Sequence, residues 1–167
     1  MSSRYSQRKS VTVDIGTPSR AERVDLIPAT IGHVDGIIAL SRTTSKFQVS
    51  PYTGTELDDE ELTFWIEDDQ SVVLVACIAD VVVGYACGVA ISPKWFFFDG
   101  FVVAPDLRRC GIGKLLYAYL VEICHARGLQ LIQGLVKQGE DSSLEYWLER
   151  GFDVGTPCIW VEHWIDE

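Results

Sequence analysis

Arg108-Arg109-Cys110-Gly111-Ile112-Gly113-Lys114 is the stretch on which the reading of this chain turns. Upstream of it lies Phe96-Phe97-Phe98-Asp99-Gly100-Phe101-Val102-Val103-Ala104-Pro105, apolar, aromatic and β-branched as a buried strand is. Downstream, Ile112, Leu115, Leu116, Tyr119, Leu120 and Ile123 recur at helical spacing. A basic, glycine-bearing turn at a helix start is an anion site in physical terms. The first-turn amides have no intrahelical acceptor, the positive end of the dipole points outward, and glycine admits a bulky anion to the backbone. A phosphate-bearing ligand suits such a turn; arginines standing in solvent at an ordinary helix entrance are the alternative.

Two familiar phosphate motifs are excluded. The turn holds G-x-G without the third glycine of a dinucleotide fingerprint, and its basic pair comes first. It is not a P-loop, because Lys114 is followed by Leu115 and the hydroxyl that binds magnesium is missing. The order of strand, Val-x-Pro, short turn, Arg-x-x-Gly-x-Gly and long helix instead resembles the acyl-CoA-binding motif of the GNAT superfamily of N-acetyltransferases. Further elements fit that family's order. Leu129 to Val136 reads as the next strand, and Ser142 to Arg150, closed by Gly151-Phe152, as a second helix. Cys158 to Ile165 reads as a last strand. Upstream, Val72 to Ala79 and Val81 to Ile91 read as a strand pair joined across Asp80, and Ile31 to Arg42 as an early helix. The resemblance covers residues 24 to 165. It implies an α/β fold: a mixed, twisted central sheet of six to seven strands with helices on both faces, splayed beside Phe101 to Val103.

Composition sets the bounds. With 167 residues, 47% of them hydrophobic, the chain is long enough to bury a substantial core. No apolar run approaches the roughly 20 residues of a membrane helix, and the polar, basic start does not read as a signal peptide. Five cysteines without a CxxC pair point to reduced thiols, hence to a cytoplasmic setting. Cys77 and Cys87 sit in apolar strand runs and read as core; Cys110, beside two arginines, reads as a filler or as a thiol of lowered pKa. Net charge is −10, yet residues 1–24 carry +3 and the remainder −13. Residues 1–23 are therefore expected to be a mobile basic tail ahead of one domain, 24–167. So acidic a body argues against nucleic-acid binding. His33, His125 and His163 are too scattered for a metal.

Residues 55–69 carry eight carboxylates and no base. Leu57, Leu62, Phe64, Trp65 and Ile66 give the segment an apolar side, so a helix is expected, with Thr55 as its cap. Its acids are either a solvated face or a negative mouth that gathers a cationic amine. Phe47, Tyr52, Phe64 and Trp65 are pocket aromatics or core. Trp160 and Trp164 alternate on one face of the expected last strand, as core or as the surface of a homodimer.

The resemblance implies acetyl transfer from acetyl-CoA to an amine, small molecule or peptide, by direct attack on the thioester; a catalytically weak acyl-CoA sensor is the alternative. An alkylamine with pKa near 10.4 costs about 4.6 kcal/mol to deprotonate at pH 7, so a base or a dry site is needed. By resemblance, the amides of Phe101, Val102 and Val103 bind the pantetheine arm, while Arg108, Arg109, Cys110, Gly111, Ile112, Gly113 and Lys114 hold the pyrophosphate. Asp99, the one carboxylate in its strand, is the candidate base, since burial raises a carboxyl pKa. Glu162 and His163 are alternatives. Many members protonate the leaving sulfur with a tyrosine four residues before Gly-Phe; here Trp147 stands there and Tyr146 one residue earlier, about 100° around the helix. Tyr146 is the candidate acid.

Overall fold

A computed structural model of the chain describes residues 7–15, 21–43, 58–159, 161 and 163. It divides into two compact units, 1–135 and 136–167. The first unit carries a six-stranded sheet in sequential order: β1 (Lys9–Asp14), β2 (Ala21–Pro28), β3 (Ser71–Ile78), β4 (Val81–Ala90), β5 (Trp95–Val103) and β6 (Leu131–Gly134). The first five are antiparallel neighbours, and β6 joins β5 in parallel. The parallel step needs a crossover, and the long helix α3 (Ile112–Ala126) supplies it. α1 (Val34–Ser41) and α2 (Asp59–Glu67) are the other helices of this unit.

Strand alternation sorts the core into two layers. Val73, Val75 and Cys77 of β3, Tyr85 and Cys87 of β4 and Val102 of β5 pack with Val34, Ile37 and Leu40 of α1 and Leu62 of α2. The opposite face meets α3, whose Ile112, Leu116, Tyr119, Leu120, Ile123 and Cys124 are buried. Gly84 marks how closely that helix approaches, because a Cβ there would lie 3.0 Å from Leu116. β3 turns into β4 through Ala79 and Asp80, both with positive φ (47° and 65°), the geometry of a tight hairpin.

Several expectations need correction. Residues 9–14, read as part of a mobile tail, form β1 and pair with β2. Asp25 on β2 is buried and accepts hydrogen bonds from Arg8, Ser10 and Arg23, while Tyr119 donates its hydroxyl to the Gln7 carbonyl at 2.7 Å. Arg8 and Arg23, two of the basic residues that suggested a solvated tail, are thus partners of one buried carboxylate. α2 begins at Asp59, capped by the Asp58 carboxylate, which accepts from the amides of Glu60 (2.9 Å) and Glu61 (3.2 Å). The expected cap, Thr55, lies outside the described residues, as do Phe47 and Tyr52. Cys158, Ile159, Val161 and His163 lie in no strand; Trp160, Glu162 and Trp164 are outside the described residues.

The second unit holds α4 (Asp141–Leu148). Its end is closed by the Phe152 amide donating to the Trp147 carbonyl (3.2 Å), with Gly151 in the left-handed region at φ 83°.

Candidate active site

β5 is paired on one edge along almost its whole length, and on the other edge only in part. Its parallel ladder with β6 runs from Trp95–Leu131 to Phe98–Gly134 and stops. From Asp99 to Val103 the β6-side edge has no ladder partner among the described residues. Alternation then fixes which groups face the opening. The Ala104 amide bonds the Val83 carbonyl at 2.9 Å, toward β4. Phe101 and Val103, three and one residues earlier in the same alternation, therefore turn their amides and carbonyls to the open edge. The Val103 carbonyl accepts from Arg108 Nε at 3.2 Å. Val102 turns its backbone to β4 and its side chain into the core, 4% exposed. A free strand edge of this kind takes an extended chain by backbone hydrogen bonds.

The strand leads directly into the phosphate-type turn. Pro105–Leu107 form a single 3-10 turn, Arg109 adopts φ 64°, and Gly111 precedes the first helical residue at φ 88°. The first helical bond of α3 runs from the Leu115 amide to the Gly111 carbonyl (3.1 Å), so the amides of Ile112, Gly113 and Lys114 have no intrahelical acceptor. No side chain caps them and no acid lies in the first turn. Ile112, 1% exposed, anchors the turn in the core. The positive end of α3 is therefore left open, with Arg108, Arg109 and Lys114 around it. A groove of about 410 Å³ adjoins it, lined by Val11 to Asp14 of β1 and by Cys110, Gly111, Lys114, Leu115 and Ala118.

Asp99 sits at the corner where β5 leaves β6. Cys87 pairs with Gly100 and Gly88 with Phe98, which makes Asp99 the extra residue of a β-bulge. The bulge has visible packing causes. A Cβ on Gly88 would lie 2.3 Å from the Phe97 carbonyl oxygen, and one on Gly100 2.6 Å from Cys87 Sγ and 3.1 Å from the Tyr85 ring. Gly100 thus faces the α1/α2 layer, and Asp99 is set beside it. Asp99 opens to solvent on one side, while protein packed around its carboxyl disfavours the charge and raises its pKa.

The surrounding groups respond to that carboxylate. Burial, then the charges of Cys87 and Asp99, push the Tyr85 phenol well above its ordinary range. Burial and then Asp99 raise the Cys87 thiol, with Glu61 adding to the effect. Burial, Asp99 and Asp58 together raise Glu61 on α2. Tyr85 belongs to this corner, Glu61 feels its charge, and nothing in the sequence marked either. Glu61 was one of eight acids between residues 55 and 69, and Tyr85 one residue of an apolar strand. Cys77 and Cys87 are buried core, as their setting in the sequence implied.

In the second unit, the Arg150 guanidinium lies over the Tyr146 ring, 3.3 Å from its centroid. Trp147 contacts Tyr146 edge-on (5.0 Å between centroids) and Phe152 (5.2 Å). The Tyr146 hydroxyl is buried. Among the described residues no group of His, Cys, Asp and Glu could hold a metal, and no helix is long and apolar enough to cross a membrane.

A sheet parted beside an unpaired strand and followed by an open helix N-terminus is an acyl-CoA transferase architecture. The chain belongs to the acetyltransferase (GNAT) family, whose model matches residues 39–152. Solved structures agree in fold. An aminoglycoside acetyltransferase from an uncultured soil metagenomic sample, in complex with sisomicin, superposes with a TM-score of 0.69 at 15% identity, covering 86% of this chain and 97% of that one. The aminoglycoside acetyltransferase AAC(6')-Iy, with a bisubstrate analogue of CoA and acetylneamine, gives 0.67 at 18% identity, covering 85% and 99%. Ard1 from Thermoplasma volcanium gives 0.67 at 16%, covering 80% and 84%. No curated protein matches the sequence.

Proposed function

We propose that this chain is an N-acetyltransferase that moves the acetyl group of acetyl-CoA to a small cationic amine. The observation that carries the reading is the continuous path from the open edge of β5 at Phe101 and Val103 to the uncapped amides of Ile112, Gly113 and Lys114. Acetyl-CoA is the co-substrate. Its pantetheine arm suits the strand edge, which offers backbone donors and acceptors in line. Its pyrophosphate suits the α3 terminus, where Arg108, Arg109, Cys110, Gly111 and Lys114 complete the turn.

In the proposed reaction the amine nitrogen attacks the thioester carbonyl. The N–C bond forms, the C–S bond breaks, and the sulfur leaves with the bonding electrons. The amine proton passes to Asp99, directly or through water, and a carboxyl of raised pKa suits that task. Backbone amides at the open edge are the donors for the developing oxyanion. Tyr146 is the proposed proton source for the thiolate; a coenzyme A thiol is a tolerable leaving group without it. A small amine acceptor is favoured by the acidic first turn of α2 and by the aminoglycoside ligands named for the structural neighbours.

The test is thermal unfolding with and without acetyl-CoA, followed by thiol release with a panel of amines. At about 100 times the dissociation constant the ligand adds about 2.7 kcal/mol, or roughly 5–10 °C. Gly113→Glu, which brings bulk and negative charge into the turn, abolishes the shift. A shift without thiol release for any amine supports instead an acyl-CoA sensor, the reading favoured by Trp147 at the usual tyrosine position. Absence of a shift at millimolar acetyl-CoA refutes both.

A further inference from the structure

The groove of about 410 Å³ beside the phosphate-type turn has no part in the reaction described so far. It lies between β1 and α3, which run antiparallel to one another. At the start of β1, Lys9 pairs with Glu122 and sits over the Tyr119 ring, 4.8 Å from its centroid, while the Tyr119 hydroxyl donates to the Gln7 carbonyl. Val11 to Asp14 then line the groove together with residues of the stretch from Cys110 to Ala118. Successive residues of a strand point to opposite faces, so a groove touching Val11, Thr12, Val13 and Asp14 in turn runs along the edge of β1. That edge is the outer one of the sheet, since β1 pairs only with β2 among the described residues. Alternate amides and carbonyls along it have no strand to bond. The helix supplies the other wall: half-buried Leu115, then exposed Lys114 and Ala118, one turn apart.

We propose that this groove takes the adenosine end of acetyl-CoA, and that β1 is the element through which the chain recognises that end. The inference rests on the acetyl-CoA reading of the turn. Covalent order carries the first part of the argument. In acetyl-CoA the thioester and pantetheine lie on one side of the pyrophosphate, and the 3′-phosphorylated ribose and adenine on the other. With the pantetheine on the open edge of β5 and the pyrophosphate on the amides of Ile112 to Lys114, the nucleoside emerges at the turn. Gly111 and Lys114 belong to the turn and also line the groove, so the two are continuous. The amine acceptor, by contrast, has to meet the thioester at the far end of the cofactor.

The chemistry of the lining carries the second part. Adenine has flat apolar faces and a rim of hydrogen-bond donors and acceptors. Val11, Leu115 and Ala118 offer apolar surface to the faces, and the backbone edge of β1 offers partners to the rim. The Lys114 ammonium suits the ribose 3′-phosphate. Asp14, the one acid of the lining among the described residues, disfavours a second free anion there and can accept from the adenine amino group. The volume falls within the roughly 300–1,000 Å³ of small-ligand sites. The turn by itself binds phosphate whatever follows it; the groove separates coenzyme A from thioesters that end at the first phosphate.

The experiment uses the full chain and three probes in calorimetric titrations: acetyl-CoA, adenosine 3′,5′-bisphosphate, and S-acetyl-4′-phosphopantetheine, which lacks the nucleoside. Ala118→Leu fills the groove from an exposed helix position, and leucine keeps the helix. It is expected to weaken acetyl-CoA and the bisphosphate by about tenfold and to leave the phosphopantetheine thioester unaffected. In the wild type, saturation with acetyl-CoA slows amide exchange across Val11–Asp14, and saturation with the phosphopantetheine thioester does not. An unaltered acetyl-CoA affinity in the variant, an equal loss for both thioesters, or equal protection of β1 by both overturns the groove and leaves the acetyl-transfer reading standing. If the wild type binds neither thioester, the acetyl-CoA reading itself has failed and the groove loses its occupant with it.

Discussion

Phe98 and Gly134 form the last rung of the parallel ladder between β5 and β6, and no rung follows it. The bulge at Asp99 begins one residue later. The point where the sheet opens and the point where a carboxylate is displaced from the regular pleat are therefore the same place in the chain. The open strand edge and the displaced carboxylate thus lie side by side on β5.

Gly111 is required for its backbone and not for space. At φ 88° it lies in the left-handed region, and a Cβ there would meet nothing within 4 Å. Gly111→Ala is expected to cost about 1 kcal/mol, a fall of roughly 2–4 °C in the unfolding midpoint. A large loss of stability would show that the site is packed, contrary to the geometry.

Gly100 is required for space. Its added Cβ would meet Cys87 Sγ at 2.6 Å. Gly100→Ala should destabilise by roughly 1–3 kcal/mol through overpacking. Cys87→Ala, which removes that sulfur, should recover part of the loss when the two are combined. A double-mutant cycle in denaturant reads the coupling, and strict additivity would contradict direct contact.

Asp99→Asn should separate activity from stability. Removing the proposed base lowers kcat/KM by about 10²–10⁴-fold while acetyl-CoA binding persists. Burial raises the folded-state pKa of Asp99, so its ionisation opposes folding. Relative to the asparagine variant, the wild type is least disadvantaged below the unfolded pKa of about 3.9 and loses ground as pH rises through the higher folded value. The variant should therefore unfold at the higher temperature near neutrality, and the gap should close in acid. Thermal scans from pH 3 to 8 check both limits.

Asp25 has the opposite sign. The hydrogen bonds from Arg8 and then Ser10, with Arg23 beyond them, hold its carboxyl far below the usual carboxylate range. Its contribution is present above the unfolded pKa and is lost as pH falls toward the folded one. Asp25→Asn should lower the unfolding midpoint at pH 7, by an amount that shrinks below about pH 4 and in high salt, since both arginines are largely exposed. The same variant should loosen β1, read as faster amide exchange across Lys9–Asp14.

Tyr146→Phe tests the proposed acid. It should lower kcat for thiol release and leave the acetyl-CoA-induced shift in unfolding temperature unchanged. An unaltered kcat would assign thiolate protonation to water.

Much of this was legible along the chain. The aromatic run 96–103 became β5, the period from Ile112 to Ile123 became α3, and the glycines and arginines between them became an open helix terminus. Local chemistry determined these, because period, turn residues and missing caps act within a few residues of one another. Residues 9–14 were harder. Two valines alternating among polar residues say little until β2 lies alongside and Asp25 gathers Arg8, Ser10 and Arg23.

The sequence by itself determined which residues bear charge, that the segments flanking the basic turn form β5 and α3, and where the chain offers uncapped amides. The tertiary structure alone decided that Asp99 is the displaced residue of a bulge, and that Phe101 and Val103 face an open edge while Val102 is core. The physical reason is register. A one-residue shift between β4 and β5 changes which side chains share a face. It is written in no local pattern, because it is settled by packing between separate strands.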